Sequence, residues 1–488
     1  METIKASGMK LVDNKGRTRI FSGVNIVDKS DFNPHSQRFD CADEQDIKRL
    51  AELGFNLIRL GFTWGKIEYA PGLYNDSYID SLSKIADWCE KYGVFIFLDM
   101  HQDLYSSHIN GDGAPRWATL TDGRKVHPTR FVWAEDYFWG RACHRAFDNF
   151  WNNKKINGKG LQDWFADCWC HIINRLGSKP AVIGFDLLNE PFPGSDGGKC
   201  FRRIVSGAAK EFVLGKNVDR LQLIRDLFSP QREKKLFDAI SPAVLRSATS
   251  KADSLIQKFD KEKYTPFIEK LGKAVRKTGT QKLIFLENSY YSNLGIPYSA
   301  LPLSIDGKRD DQQVFAPHAY DLMVDTPSYR WANNARVGSI FDEHRRSQER
   351  LRTPVIVGEW GGFGSDDDET WLEHIVYLLN VFDRYQWSNT YWQFIPGFFD
   401  SPLLKVFVRP YPQAVSGNIV SYSYDVDKAL FTMEYIQDSA GESTICAPFT
   451  INELTLDSAE IPYKKENSAV SVISGKGRHT LNIRFERK

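Results

Sequence analysis

Short apolar, β-branched runs recur eight times along this chain and constrain its fold more than any other feature. The runs are almost continuously apolar, as is typical of parallel strands covered on both faces. Helical patterns lie between them; residues 77–92 repeat apolar side chains on one face and end at Gly93, a usual helix terminator. The predicted strands are residues 20–26, 56–61, 94–100, 182–188, 283–287, 314–318, 355–359 and 390–394.

Eight parallel strands with helical connections predict a (β/α)8 TIM barrel, an α/β fold whose active site lies at the C-terminal ends of the strands. A doubly wound sheet is the alternative, but no strand is followed by a glycine-rich phosphate-binding loop. Two connections are unusually long, residues 101–181 and 191–282. Excursions of this kind at the catalytic end shape a substrate cleft. For the second one, which is rich in Lys and Arg, extra helices without substrate contact are the alternative.

The pattern changes after residue 416. Several short segments alternate polar and apolar residues, and polar turns such as residues 441–443 and 475–477 separate them. We predict a catalytic barrel over residues 1–416 and a small antiparallel β-sandwich over residues 417–488. No Pro/Ser-rich linker separates the two, so we expect them to pack closely. The predicted C-terminal strands are residues 419–424, 430–435, 449–456, 470–473 and 480–485.

The charge balance excludes some partners. The 488 residues include 63 Lys and Arg against 62 Asp and Glu, so no basic excess favours nucleic acid. Seven cysteines are too few for a disulfide scaffold in a chain this long. Residues 1–10 lack the apolar core of a signal peptide, and no run of 18 apolar residues predicts a transmembrane segment. These features favour a cytoplasmic protein, with a secreted mature form as the alternative; the oligomeric state stays open.

The fourth and seventh predicted strands run into short polar motifs that each contain a glutamate. Glu190 follows the fourth strand within Asn189-Glu190-Pro191, and Glu359 ends the seventh, before Trp360. A carboxylate at the end of an apolar strand is costly unless it is paired or used. In a barrel both would enter one cleft, about 5 to 5.5 Å apart, as a retaining glycosidase requires of its nucleophile and its acid/base. The alternative is a pair of structural salt bridges at the barrel rim.

Polar side chains also end the third strand, at Asp99, His101 and Asp103. Carboxylates accept hydrogen bonds and a neutral imidazole both donates and accepts, so sugar hydroxyls suit this set. Purely structural hydrogen bonding is one alternative. A metal site is another, but we expect alternation along the strand to spread the three residues. We therefore predict no metal and no cofactor. The remaining positions at this end fall to His318, Tyr320 and Trp392.

Together these residues resemble glycoside hydrolase family 5 and its clan of retaining (β/α)8 enzymes. Longer strings are more specific and are similar to the endoglycoceramidase branch of that family. They cover residues 99–106 (DMHQDLYS), 111–117 (GDGAPRW), 147–151 (FDNFW), 189–194 (NEPFPG) and 409–415 (RPYPQAV). The resemblance extends over residues 17–418 and into the C-terminal sandwich.

The resemblance implies hydrolysis, with retention, of the β-glycosidic bond between glycan and ceramide in a glycosphingolipid presented at a membrane or micelle surface. It implies that Glu190 is the acid/base and Glu359 the nucleophile. It also implies that Asn189 bonds the sugar 2-hydroxyl, that Tyr320 orients Glu359 and that Trp392 forms the sugar platform. Other hydroxyl contacts are implied for Lys66, Asp99, His101, Asp103, Trp139 and His318.

The chemistry sets a requirement on the two carboxyls. Glu190 should have a raised pKa, because it must be protonated to release the leaving group, while Glu359 must stay ionised. The basic insertion near residues 200–275 and Trp360 differ from the best-known members of the branch. Four alternatives therefore remain. They are a preference for galactosylceramides, a glucosylceramidase or sterylglucosidase, an endoglucanase or mannanase, and a non-catalytic glycolipid-binding protein. A polar, open aglycone side at Glu190 would disfavour the lipid substrate.

Overall fold

The computed structural model describes residues 1–34, 38–130, 132–326, 328–364 and 368–486. Its centre is a sheet of eight parallel strands in the order 6-5-4-3-2-1-8-7, which confirms the predicted TIM barrel. We number these barrel strands one to eight in chain order. They are Ser22–Asp28, Leu57–Thr63, Phe95–His101, Val182–Asp186, Leu283–Glu287, Gln313–Ala316, Ile356–Val357 and Ser388–Tyr391.

The ring closes between strands six and seven. Phe315 and Val355 form a single parallel bridge there. Beyond it, towards the C-terminal ends of the strands, His318–Ala319 pairs in parallel with Glu359–Trp360, with His318 opposite Glu359. Glu359, which the sequence places at the end of the seventh strand, therefore lies beside the end of strand six.

Burial on both faces explains the continuously apolar strands. Every residue of strands one to five is buried. Phe21, Phe97, Phe285 and Ile356 are among the side chains that form one core cluster, and Leu11 from an N-terminal hairpin joins it. A second, larger cluster packs the strands against the surrounding helices. Burial of this kind is the main favourable contribution to folding.

The first helices follow local signals. α1 (Glu44–Glu52) begins after Asp43, whose side chain accepts from the backbone of Gln45 and Asp46 in a capping box. α2 (Trp64–Ile67) is a single turn after strand two. α3 (Asp76–Tyr92) begins after Asn75 and ends at Gly93, with φ 74°, so the predicted helix is confirmed.

The two long connections are helical. The first holds α4 (Glu135–Trp139), α5 (Arg141–Trp151) and α6 (Leu161–Leu176). The second holds α7 (Ser195–Leu214), α8 (Arg220–Leu227), α9 (Arg232–Asp238), α10 (Pro242–Thr249), α11 (Asp253–Phe259) and α12 (Thr265–Lys277). The later helices are α13 (Asn334–Leu351), α14 (Leu372–Tyr385) and α15 (Leu404–Phe407). No helix in the described part of the chain is long and apolar enough to cross a membrane.

Two antiparallel sheets form the C-terminal part and enclose a core of their own. The five-stranded sheet contains Asn418–Asp425, Leu430–Gln437, Gly477–Phe485, Ile451–Leu456 and Ala459–Glu460, in that order. The other sheet contains Ile4–Ser7, Lys10–Asp13, Thr18–Arg19, Tyr411–Val415, Gly441–Cys446, Ala469–Ser474 and Lys464–Glu466. N-terminal strands thus share a sheet with C-terminal ones.

One C-terminal prediction is wrong. Residues 441–443 were expected to form a turn but begin the strand Gly441–Cys446, which pairs with neighbours on both sides. Tertiary pairing overrides the turn-like local composition of Gly441-Glu442-Ser443. Short two-stranded hairpins complete the chain at Glu68–Ala70 with Leu73–Tyr74, Lys155–Ile156 with Lys159–Gly160, and Ser304–Ile305 with Lys308–Arg309.

The C-terminal sheets contact the end of the barrel opposite the catalytic side. Tyr411 donates its hydroxyl proton to the Gly54 carbonyl at 2.8 Å, and Ser468 donates to the Ala51 carbonyl at 3.2 Å. Gly54 follows α1 and precedes strand two, so it lies at the N-terminal ends of the strands. A β-carbon at Gly54 would stand 2.4 Å from the Cys446 sulfur, so only glycine fits.

Candidate active site

Glu190 and Glu359 lie together at the C-terminal end of the barrel. One carboxylate oxygen of each, and one ring nitrogen of His318, all lie within 4.8 Å of one another. This separation matches a retaining pair of carboxyls and is too small for the water that an inverting pair holds between them. Both side chains are almost fully buried.

Glu359 receives a hydrogen bond on each oxygen. The Arg59 guanidinium donates to Oε1 at 2.6 Å, and the Tyr320 hydroxyl donates to Oε2 at 2.7 Å. Charge-assisted and neutral hydrogen bonds, one on each oxygen, hold the orientation of this carboxylate. This is the environment that a carboxylate nucleophile needs.

Glu190 has a different environment. The Asn293 amide donates to its Oε1 at 2.6 Å, and His318 Nδ1 lies 3.1 Å from the same oxygen. Burial raises the pKa of Glu190, and the charge of Glu359 raises it further, against the opposing effect of His318. The two carboxyls thus differ as an acid and a nucleophile must.

His318 is surrounded by carboxylates. Besides Glu190, its ring lies 3.5 Å from Glu359 Oε2 and 3.4 Å from Glu287 Oε1. Burial alone would lower the His318 pKa, but the charges of Glu287 and Glu359 outweigh it and raise the pKa well above its usual range. The ring is 1% exposed, so its geometry favours a role in arranging the carboxyls over the predicted contact with sugar hydroxyls.

Arg59 is the most consequential residue that sequence reasoning missed. Its fully buried guanidinium bonds Glu359, Glu287 at 2.6 Å, the Asn189 Oδ1 at 3.0 Å and Asp186 at 2.9 Å. The surrounding carboxylates raise its pKa well above the ordinary value although burial opposes them. An arginine inside the apolar strand two was the available signal, because an unpaired charge there would be prohibitively costly.

Glu287 was missed as well, although it ends strand five as Glu190 follows strand four. Its Oε2 accepts the backbone N–H of Glu190 at 2.6 Å, and Glu190 has a left-handed backbone with φ 42°. Burial would raise the Glu287 pKa, but the charges of His318 and Arg59 outweigh it and lower the pKa to about 2. Glu287 therefore holds the backbone of Glu190 in an otherwise unfavourable conformation.

Glu287→Gln is expected to lower kcat roughly 10- to 100-fold with little change in KM, because a small displacement of Glu190 weakens proton transfer. The measurement is steady-state kinetics together with thermal unfolding. Glu68→Gln is the matched control: Glu68 is a buried glutamate whose pKa burial raises to about 7, and it bonds Trp64 and Gly72. Unchanged kcat in Glu287→Gln would contradict the positioning role.

Trp392, His101 and Lys29 form one cluster of ring and cation contacts. The Trp392 and His101 rings stack with centroids 5.4 Å apart, and Lys29 Nζ lies 4.8 Å from the Trp392 centroid. His101 Nδ1 is 2.8 Å from Asp99 and its Nε2 is 3.5 Å from Asp103. The expectation that the strand would spread these three residues is wrong, because residues two apart share one face of a strand.

Three clusters could offer ligands to a metal ion: His101 with Asp103 and Asp112, Glu190 with His318 and Glu359, and Asp99 with Asp186 and Glu287. Side-chain cations already lie among them. Lys29 bonds Asp103 and lies 3.9 Å from Asp112, and Arg59 contacts each carboxylate of the third cluster. Cations of this chain thus offset part of the negative charge; that no metal or cofactor is needed stays a prediction.

Lys66 and Trp139 have surroundings that sequence reasoning did not anticipate. Lys66 donates to Ser30 Oγ at 2.8 Å and lies 3.8 Å from Asp28. Trp139 ends α4, is 41% exposed and donates to His127 at 2.7 Å. Lys29, rather than Lys66, contacts Asp103 and the Trp392 ring, and sugar contact by Lys66 stays a prediction.

Lys29→Met is expected to raise KM about 10-fold, because it removes the cation that contacts Asp103 and Trp392. Lys66→Met, at the neighbouring buried lysine, is the comparison and is expected to lower the melting temperature while KM changes by less than about threefold. Steady-state kinetics and thermal unfolding of both variants make the test. A larger KM effect at Lys66 would restore the assignment made from the sequence.

Comparison with protein families decides the class of this fold and site. The model of the cellulase family, glycosyl hydrolase family 5, matches residues 12–397. This chain belongs to glycoside hydrolase family 5. The family 5 C-terminal domain matches residues 409–484, so both parts of this family 5 glycosidase have counterparts among known enzymes.

Two curated relatives of this family 5 enzyme extend over most of its length. An endoglycoceramidase of Hydra vulgaris is 25% identical over 469 residues, which cover 87% of this chain and 76% of the relative. Endoglycoceramidase I of Rhodococcus hoagii (strain 103S) is 26% identical and covers 91% of this chain and 79% of its own. Among solved structures, endo-glycoceramidase II from Rhodococcus sp. in its ganglioside GM3 complex superposes with a TM-score of 0.73 at 22% identity, over 98% of this chain and all of the other.

Proposed function

We propose that this family 5 enzyme hydrolyses the β-glycosidic bond between the glycan and the ceramide of glycosphingolipids, with retention of configuration. The observation that carries the proposal is that relatives named endoglycoceramidases match 87 to 91% of the chain, across the barrel and the C-terminal sheets. The substrate is met at a membrane or micelle surface, because ceramide does not leave the lipid phase readily.

Each carboxyl then has one role. The Glu359 carboxylate attacks the anomeric carbon and forms a glycosyl-enzyme, while the Glu190 carboxyl gives its proton to the oxygen that leaves with ceramide. Glu190, now ionised, takes a proton from water as the water attacks the same carbon, which releases Glu359. The raised pKa of Glu190 and the two donors on Glu359 support this division.

Asn189 and Trp392 suit the sugar next to the scissile bond. Two hydrogen bonds hold the Asn189 amide. Arg59 donates to its Oδ1, and its Nδ2 donates to the Gln102 carbonyl at 3.0 Å. The second N–H of Nδ2 remains for the sugar 2-hydroxyl. A half-buried Trp392 offers an apolar ring face to the pyranose. Tyr320 keeps Glu359 in position through its hydrogen bond.

The side of Glu190 that would face ceramide is aromatic. The Tyr290 backbone N–H donates to the carbonyl of Pro191, the residue after Glu190, at 3.2 Å, and the Tyr137 ring packs against the Tyr290 ring. Tyr137 lies 4.3 Å from Tyr290 and 4.6 Å from Phe192 between ring centroids, and the exposed Trp133 follows at 6.3 Å. Tyr137 and Phe192 are fully buried and support the half-buried Tyr290, so Tyr290 and Trp133 are the rings of this row that have exposed surface. Their apolar faces suit lipid chains better than a second run of sugars.

A β-glucosidase acting on glucosylceramide or a sterylglucoside is the second candidate. Ergosteryl-beta-glucosidase of Saccharomyces cerevisiae is 31% identical over 214 residues, about a third of this chain. The two candidates differ in the product. An endo-acting enzyme releases lactose from lactosylceramide in one step, whereas a glucosidase releases glucose from glucosylceramide or ergosteryl glucoside only.

Mass spectrometry of products from these three lipids, galactosylceramide and a cello-oligosaccharide tests the proposal. Release of intact lactose together with ceramide is the expected result. Turnover of glucosylceramide or ergosteryl glucoside without lactose release would replace it by the glucosidase. Turnover of the cello-oligosaccharide alone would make the enzyme an endoglucanase, and binding without any turnover would make it a non-catalytic glycolipid-binding protein.

A further inference from the structure

Exposed apolar side chains are concentrated in one short stretch of the second long connection. Seven of the large exposed hydrophobic residues in the described chain fall within residues 205–228, and a smaller group of four falls within residues 126–139. The seven are Val205, Val213, Leu214, Leu221, Ile224, Leu227 and Phe228. Exposed apolar side chains gathered in one segment of the chain indicate an interaction surface.

The exposure of apolar side chains is clearest in helix α8. Leu221, Ile224 and Phe228 are spaced three and four residues apart, so they lie on one face of the helix and its end. They are 71%, 54% and 86% exposed, while Asp226 of the same helix is buried. A helix that contributes to a protein core has the reverse arrangement. The apolar face of α8 therefore has no partner within the described chain.

Basic residues accompany the apolar ones. Residues 201–235 contain nine Lys and Arg against four Asp and Glu, whereas the whole chain has a net charge of +1. Two of the four acidic side chains, Glu211 and Asp226, are buried. The exposed basic residues are Arg202, Arg203, Lys210, Lys216, Arg220, Arg225 and Arg232. The seven apolar and seven basic exposed side chains together are called the insertion surface below.

The insertion surface belongs to the catalytic end of the barrel. α7 begins five residues after Glu190, and Phe201 on it packs against Trp139, which is exposed at the end of α4. α9 contacts the loop that follows strand six, where Ser328 donates to Glu233 at 2.8 Å. A flat partner bound to this surface would therefore lie beside the mouth of the active site.

We propose that the insertion surface docks the enzyme onto a lipid bilayer that contains anionic lipids. Exposed leucine, isoleucine and phenylalanine side chains insert at the headgroup boundary, and interleaved arginines and lysines attract anionic headgroups. A second copy of the chain fits less well, because two surfaces of net positive charge repel each other. The benefit for catalysis, access to membrane-held ceramide, rests on the proposed function, whereas docking itself does not.

The test is flotation of the purified full-length protein with vesicles of phosphatidylcholine, alone or with added phosphatidylserine. The variant carries Leu221→Ser, Ile224→Ser and Phe228→Ser. The matched control is Ile473→Ser, which replaces an isoleucine that is 74% exposed in the C-terminal sheets. We expect binding that needs phosphatidylserine, weakens with salt, falls roughly 100-fold in the triple variant and is unchanged in the control.

Hydrolysis of a water-soluble aryl β-glycoside, expected to be equal in all three proteins, shows that the variants are folded. Intact vesicle binding without any release of glycan from glycosphingolipids would refute the proposed function and leave docking in place. Absence of wild-type binding, or equal binding by the triple variant, would overturn docking. A wild-type dimer that the triple variant abolishes, without vesicle binding, would assign the surface to a second copy and overturn docking too.

Discussion

Glu359→Gln is expected to lower kcat on a glycosphingolipid by at least roughly 10⁴-fold while the protein folds normally. Glutamine keeps the shape of the side chain but cannot form the glycosyl-enzyme bond. Arg59 would lose one charged partner but keep Glu287, Asp186 and Asp99, so the site should remain assembled. Product formation followed by mass spectrometry, with thermal unfolding as the folding check, measures the effect.

The shorter variant Glu359→Ala identifies the role of the residue. Azide can enter the vacated space and attack the anomeric carbon from the side that the carboxylate used, which yields an α-glycosyl azide. Glu68→Gln, the buried control glutamate away from this pair, is expected to stay within a few-fold of wild type. Residual activity of Glu359→Gln above about a tenth of wild type would refute the nucleophile assignment.

Glu190→Gln is expected to have an effect that depends on the leaving group. Ceramide leaves as a poorly stabilised alkoxide unless it is protonated, so turnover of a glycosphingolipid should fall roughly 10³-fold or more. A dinitrophenyl glycoside needs no protonation, and its first step should be nearly unaffected. Comparing the two substrates in the same variant separates loss of the acid from general damage to the site.

The pH profile provides a second readout for Glu190. The wild-type enzyme works with Glu190 protonated, and burial raises the pKa of this carboxyl, so activity should persist towards neutral pH and decline as pH rises through that pKa. This alkaline limb should disappear from the residual glycosphingolipid activity of Glu190→Gln, because the titrating carboxyl is gone. If the alkaline limb is unaltered, another group must be the acid. His318 would be tested first, because its Nδ1 bonds Oε1 of Glu190.

The network around Arg59 explains how so many charges are buried together. The Arg59 guanidinium contacts four carboxylates at once. They belong to Asp99, Asp186, Glu287 and Glu359. Removing Arg59 itself would leave these carboxylates buried without their shared cation, which is strongly destabilising, whereas the loss of one carboxylate leaves the guanidinium with three others. Such a network would hold the carboxyls rigidly in place. Rigid placement favours catalysis, because small displacements of reacting groups lower rates steeply.

Sequence patterns were sufficient for the barrel strands and the reacting pair. A parallel strand that is buried on both faces has a continuous apolar sequence. All eight strands could therefore be recognised without information on long-range contacts. Glu190 and Glu359 stood out because a carboxylate is costly at the end of such a run. The barrel topology then placed both at one end, where the structure has them within 4.8 Å.

The rest depended on contacts between residues distant in the chain. Lys29 and Lys66 both lie near strand ends and have the same chemistry, and only the packing directs Lys29 to Asp103 and Lys66 to Ser30. The strand Gly441–Cys446 was invisible because its pairing, rather than its composition, makes it a strand. The outward apolar face of α8 was equally hidden, since spacing along a helix does not tell which face meets a core.

The sequence by itself therefore determined the barrel, the family and the two glutamates that the structure brings together. Tertiary structure alone decided which charges surround them. Arg59 and Glu287 act on residues up to 300 positions away along the chain, through distances of 2.6 Å. Local patterns record burial and periodicity, whereas protonation and orientation depend on the three-dimensional arrangement of every charge within a few ångströms.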